Sequence, residues 1–197
     1  NPFAVSMVDT YGLMHKEQMA HYFHLLDYNL NPGITIGYHS HNNFQLGYAN
    51  EIEMIKRHST HNILVDGTAY GMGKSAGNAP LELLAMHLND NYGKNYKIDQ
   101  ILEIIDGNIM RIYREHYWGY SLAFFLAASN NCHPNYIKYL LNKHTLSVKG
   151  INDIAKNIAP DLKLNYSQSH IEELYKQYQE KTVFESKTIQ HLSSDNK

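Results

Sequence analysis

Three short apolar runs with β character, over residues 4–9, 34–38 and 62–66, are separated by segments each long enough for one helix. This alternation constrains the fold more than any other feature of the chain. Between the first two runs Met19, Tyr22, Phe23 and Leu26 fall at helical spacing, and Asn31-Pro32-Gly33 is a stop-and-turn signal. A second helix is expected over 44–56, and a third after Pro80, with Leu81, Leu83, Leu84, Met86 and Leu88 along it. Strands and helices alternating at this spacing imply parallel β-structure with right-handed crossovers. A weak fourth strand is expected near Asn95-Tyr96-Lys97. From Asp99 onward β signals vanish, and helices are expected over 98–105, 109–117, 121–129, 135–142, 147–158 and 167–181.

Charge narrows the function classes. Seventeen basic residues against nineteen acidic ones, with no basic run, make nucleic acid and anionic membrane poor partners. No apolar stretch approaches the ~20 residues of a membrane span, and no signal peptide is legible. The single Cys132 excludes an internal disulfide and a CxxC zinc site, and suits a reducing, cytoplasmic setting. Its position in an apolar helical region reads as a buried structural thiol. The chain opens on Asn1-Pro2 and enters a strand at once, so it reads as a piece of something longer.

Polar residues gather where each strand ends and its helix has not begun: Asp9-Thr10, His39 and His41, Asp66, and the loop to Asn78. Parallel α/β proteins place their sites at that edge. Side chains two apart on a strand point the same way, so His39 and His41 are able to take adjacent positions on one divalent ion. The plainer alternatives are a surface His beside a core His, Asp9 and Asp66 as loop caps, and Asn78 as the N-cap of the helix at Pro80. Gly73-Lys74-Ser75 invites a phosphate-loop reading, but the motif needs Gly where Thr68 stands, and the helix starts well after the Lys-Ser pair. The glycines instead let backbone approach a ligand or a neighbouring strand end.

Tyr38-His39-Ser40-His41-Asn42-Asn43, followed by Gly73-Lys74-Ser75-Ala76-Gly77-Asn78-Ala79-Pro80-Leu81-Glu82, resembles the DRE-TIM metallolyases, the HMG-CoA-lyase-like (β/α)8 barrels. The wording of the glycine loop is nearest their 4-hydroxy-2-oxovalerate aldolase branch. The resemblance implies a divalent metal (Mn²⁺, Mg²⁺ or Co²⁺) held by His39 and His41, with Asn78 as a further ligand. It implies substrate contacts from Asp9, Thr10, Gly73 and Gly77, and a catalytic Tyr120 reaching in from a helical domain. The reaction implied is cleavage or formation of a C–C bond of a 4-hydroxy-2-oxo acid through a pyruvate enolate, with an aldehyde as second product. An acetaldehyde-dehydrogenase-type partner is implied as well.

The same resemblance sets the expected architecture: about strands 5–8 of a TIM barrel over residues 1–106 and a helical domain over 107–184, while the polar composition of 185–197 reads as a frayed or disordered tail. The family's first strand carries an Arg-Asp pair, yet Arg57, Arg111 and Arg114 are the only arginines here and none precedes Asp. The chain alone is therefore expected to be inactive and to self-associate, since Val5, Met7, Ile34 and Ile36 should face a missing half. The glycine loop has no Cys, which disfavours the HMG-CoA lyase subgroup. Two alternatives stay open, an isopropylmalate-synthase-like enzyme condensing an acyl-CoA with a 2-oxo acid, and a non-catalytic docking or oligomerisation fragment.

Overall fold

The computed structural model describes residues 2–194, with side chains through residue 183. The chain divides into two compact units, Asn1–Phe125 and Leu126–Lys197. In the first, β1 (Ala4–Val8), β2 (Thr35–His39) and β3 (Ile63–Val65) form a parallel sheet in the order β1-β2-β3. Helices α1 (Lys16–Asn29) and α2 (Gly47–Ile55) are its crossovers, as the alternation requires. The backbone N–H of His15 donates to Gln18 Oε1 at 3.0 Å, closing the first turn of α1.

Helices cover one face of the sheet. Met19 and Phe23 from α1, Ile36 and Tyr38 from β2, and Met54 from α2 are fully buried together, with Met7 and Ile63 packed against them. The two-residue period therefore assigns Ser6, Val8, Gly37, His39 and Leu64 to the opposite face. There Val8 is 48% and Leu64 41% exposed. This corrects the expectation that Val5, Met7, Ile34 and Ile36 face a barrel interior: Met7 and Ile36 belong to the helix-side core, and Val5 and Ile34 share their parity.

The expected strand at Asn95-Tyr96-Lys97 does not form. The Asn89 amide donates to Tyr96 O at 2.9 Å and accepts from Tyr96 N–H at 2.8 Å. One side chain thus satisfies both backbone groups that a neighbouring strand would have paired. Three strands, not four, are present among the described residues. The loop follows α3 (Leu81–Tyr92), which stops at Gly93 in the left-handed region, φ 61°. Helices α4 (Ile98–Ile104) and α5 (Met110–Glu115) run together through a π turn over Ile105–Ile109.

Helix α6 (Leu122–Ser129) spans the division between the units. The second unit continues with α7 (Pro134–Leu141), α8 (Val148–Lys156) and α9 (Gln168–Ser194) around Tyr136, Ile137, Leu140, Ile151, Ile154 and Ile171. The His133 ring accepts from Asn135 N–H and the Ser147 hydroxyl from Gly150 N–H, capping α7 and α8. Cys132 is buried and unpaired, and burial pushes its thiol up to about 11, which keeps it protonated and inert. Helix α9 passes the expected end at Lys181. The tail expectation for 185–197 falls, for its side chains and for 195–197 entirely, outside the described residues.

Candidate functional site

The strands end level with one another. Asp9 N–H donates to His39 O at 2.9 Å and Asp66 N–H to Tyr38 O at 3.1 Å, so Asp9, His39 and Asp66 leave the sheet at one edge. Two residues beyond His39, His41 makes an antiparallel bridge to Asn78. The two imidazole rings have centroids 5.0 Å apart and planes at 81°. His39 Nδ1 lies 3.2 Å from Asp66 Oδ2, and His41 Nδ1 lies 2.9 Å from the Asp9 carbonyl. Both partners are acceptors, so each Nδ1 carries the hydrogen and each Nε2 keeps its lone pair in the neutral ring. Burial holds the His41 pKa below its ordinary value and keeps that ring neutral.

Asp9 is occupied. Its two carboxylate oxygens accept from Leu13 N–H and Met14 N–H, each at 2.9 Å, which fastens the turn into α1. Burial raises its pKa in spite of those bonds. Thr10 beside it is exposed.

The glycine loop is lashed to the His turn. Asn42 N–H donates to Gly77 O at 2.8 Å, the Asn42 amide to Asn78 O at 2.9 Å, and Ala76 N–H to Asn43 Oδ1 at 3.2 Å. Gly77 sits at φ +84°, and a Cβ there would lie 2.2 Å from Gly71 O, so no other residue fits. A Cβ on Gly73 would stand 2.7 Å from Asn78 Oδ1, so this second glycine leaves room for the Asn78 amide. The capping alternative for Asn78 fails. Pro80 holds the N-cap position of α3, and the Asn78 side chain donates to Met72 O at 3.3 Å. Its oxygen is buried with no hydrogen-bond partner.

Beneath the pair lies a carboxyl that sequence reasoning missed. Glu51 on α2 is fully buried, and the Ser40 hydroxyl donates to its Oε1 at 2.5 Å. Burial raises its pKa from an ordinary 4.5 to about 8. The folded chain keeps this proton through a window where the unfolded chain has lost it, so stability falls as pH rises from about 4.5 to about 8. The slope from one such proton is at most about 1.4 kcal/mol per pH unit. Glu51→Gln should flatten the pH dependence of the melting temperature in that window.

Tyr120 is 63% exposed, and the structure gives it no hydrogen bond or ring contact. Its neighbour Trp118 is the residue at the glycine loop. Trp118 Nε1 donates to Tyr70 O at 2.8 Å, its ring packs edge-on to Tyr113 with centroids 4.8 Å apart, and a Cβ on Gly77 would meet its Cδ1 at 3.1 Å. Being the one Trp in the chain was its only sequence signal. Among the described residues no group of three or more His, Cys, Asp or Glu side chains is placed to hold a metal ion. The donor set is two imidazoles with free Nε2 atoms and one unpartnered amide oxygen. All three donors are neutral and two are nitrogen, a set that fits part of the coordination of a divalent ion.

Known proteins share this arrangement of sequence. The 4-hydroxy-2-oxovalerate aldolase 1 of Azoarcus sp. (strain BH72) is 37% identical over 81 residues, 41% of this chain and 22% of that protein. The 4-hydroxy-2-oxovalerate aldolase of Stutzerimonas stutzeri is 35% identical over 75 residues, 38% of this chain and 21% of that one. The matched stretch thus spans about a fifth of either relative's length. Among solved structures, the N-terminal domain of a candidate aldolase from Bacteroides vulgatus superposes with a TM-score of 0.63 at 26% identity, over 71% of this chain and 44% of that one. The profile of the HMGL-like family matches residues 1–106 of the 197, and the chain belongs to that family.

Proposed function

We propose that this chain is the metal-binding part of an aldolase that makes or breaks a C–C bond of a 4-hydroxy-2-oxo acid, releasing or consuming pyruvate and an aldehyde. The observation that carries the reading is the way both imidazoles are tied from behind, His39 to Asp66 and His41 to the Asp9 carbonyl, with both Nε2 atoms left over. Metal-ligating histidines are oriented in this way, through the ring nitrogen that does not bind the metal. His39, His41 and Asn78 would hold the ion, Mn²⁺, Mg²⁺ or Co²⁺. A divalent ion there supplies a Lewis acid toward the carbonyl of the 2-oxo acid. The chain's own contribution is to fix the two rings in one tautomer, through Asp66 and a backbone carbonyl.

In this proposal residues 1–106 are part of the second half of a TIM barrel, three of its strands among the described residues, with 107–184 as the helical domain. Thr10, Gly73 and Gly77 border the substrate, and Tyr120 is free to reach it. Asp9 acts through the turn it fastens and through its carbonyl on His41. The Arg-Asp pair has no counterpart here, so the 197 residues alone should not turn over substrate.

The test is pyruvate release from 4-hydroxy-2-oxovalerate with Mn²⁺, run on the 197-residue chain and on the product of the whole reading frame. Turnover is expected from the second only. Condensation of an acyl-CoA with a 2-oxo acid, and no aldol cleavage, would select the isopropylmalate-synthase-like reading. Absence of either reaction from the whole product would leave a docking fragment, and co-purification with an acetaldehyde dehydrogenase would identify the partner. Asn78 has its own check. An unpartnered buried oxygen costs about 1–3 kcal/mol, so Asn78→Leu should hold or raise the melting temperature. As a lost ligand it should still weaken Co²⁺ binding by about tenfold or more. Unchanged affinity would return Asn78 to a purely structural role.

A further inference from the structure

Glu51 takes no part in the chemistry just described, yet it is buried directly behind the two histidines. Ser40 separates them in sequence, and its side chain points to the helix side while theirs point away. There the Glu51 carboxyl accepts from the Ser40 hydroxyl through Oε1, while its other oxygen, Oε2, has no partner. The helix comes this close because Gly47 has no side chain, since a Cβ there would lie 2.9 Å from Ser40 Oγ and 2.8 Å from Asn42 Oδ1.

Stability does not account for a carboxyl at this position. A fully buried carboxyl with one oxygen unsatisfied is costly, and an apolar side chain of similar volume is as good or better in a core. What the carboxyl adds is direction. It holds the side chain of the one residue that lies between the two histidines.

We propose that Glu51 is a positioning residue: by clamping Ser40 from beneath it sets the orientation of His39 and His41 together. The proposal rests on the reading of that pair as the binding centre. Glu51→Leu keeps the volume and removes the clamp. Glu51→Gln keeps an amide oxygen able to accept from Ser40 and should rescue it.

Long-range ¹H–¹⁵N spectra of the imidazoles read the effect without any metal. In the parent chain His39 and His41 should each show the single tautomer with hydrogen on Nδ1. In Glu51→Leu that preference should be lost for both, while His61, whose Nδ1 is held 2.7 Å from Ile34 O, keeps its own. A melting temperature at or above the parent's would show that the fold is intact. Co²⁺ affinity should drop about tenfold in Glu51→Leu and recover in Glu51→Gln, the size expected for an outer-shell partner. Parent-like His39 and His41 tautomers in a folded Glu51→Leu would overturn the clamp. If the parent's imidazole signals ignore Co²⁺, the metal reading fails while the tautomer comparison still judges the clamp. Should Glu51→Leu not fold, Ser40→Ala takes its place in the same comparison.

Discussion

Replacing His39 and His41 together by Ala should abolish Co²⁺ binding, with affinity falling more than about 100-fold, the upper end of what outer-shell changes alone cost. Binding by the parent is itself expected to be weak. Two imidazoles and an amide oxygen are neutral, and among the described residues no carboxylate joins them to offset the charge of the ion. The double variant should nevertheless fold. It loses the bonds from His39 to Asp66 and from His41 to the Asp9 carbonyl, each worth about 0.5–1.5 kcal/mol. A modest fall in melting temperature with complete loss of bound metal, measured by elemental analysis after dialysis, is the expected pair of results. Full occupancy in the double variant would remove the centre from this edge of the sheet.

The histidine pair was legible because strand alternation fixes the side on which a residue emerges, and two residues of one type at that spacing leave little freedom. The strand–helix order was legible for the same reason: periods of two and of 3.6 leave different marks. Which sheet face meets the helices was not. Thr35, Ile36, Gly37 and Tyr38 of β2 are all buried, so hydrophobicity carried no parity, and Met7 and Ile36 were placed on the wrong side. The false fourth strand had the right residues, but the Asn89 side chain had taken the place of a strand partner. Nothing in the sequence singled out Glu51 on the helix expected over 44–56. Only the close approach allowed by Gly47 turns it inward onto Ser40. Asn78 matched a capping pattern in spacing, yet Pro80 took the cap position and left the amide for something else.

The isolated chain should self-associate, with a second copy covering the bare side of the sheet. Among the described residues strands β1 and β3 each have one neighbour, which leaves an open edge on either side of the sheet. The face opposite α1 and α2 presents Val8 and Leu64, both well exposed. Beside the β1 edge an apolar groove is lined by Met7, Val8, Met14, Tyr22, Leu25 and Leu26. Burying a Val or Leu contributes ~1.5–3 kcal/mol. Edge pairing adds hydrogen bonds of about 0.5–1.5 kcal/mol each. A few such contacts across two copies outweigh an association cost of several kcal/mol. Light scattering should therefore find dimers or larger species. The double substitution Val8→Lys and Leu64→Lys should shift them toward monomer, because a lysine ammonium resists burial on a sheet face. Neither residue belongs to the helix-side core around Phe23, Ile36 and Tyr38, so the fold and its melting temperature should be kept. A parent chain that runs as a monodisperse monomer would show that this face needs no cover, and with it the half-barrel reading would lose its main physical consequence.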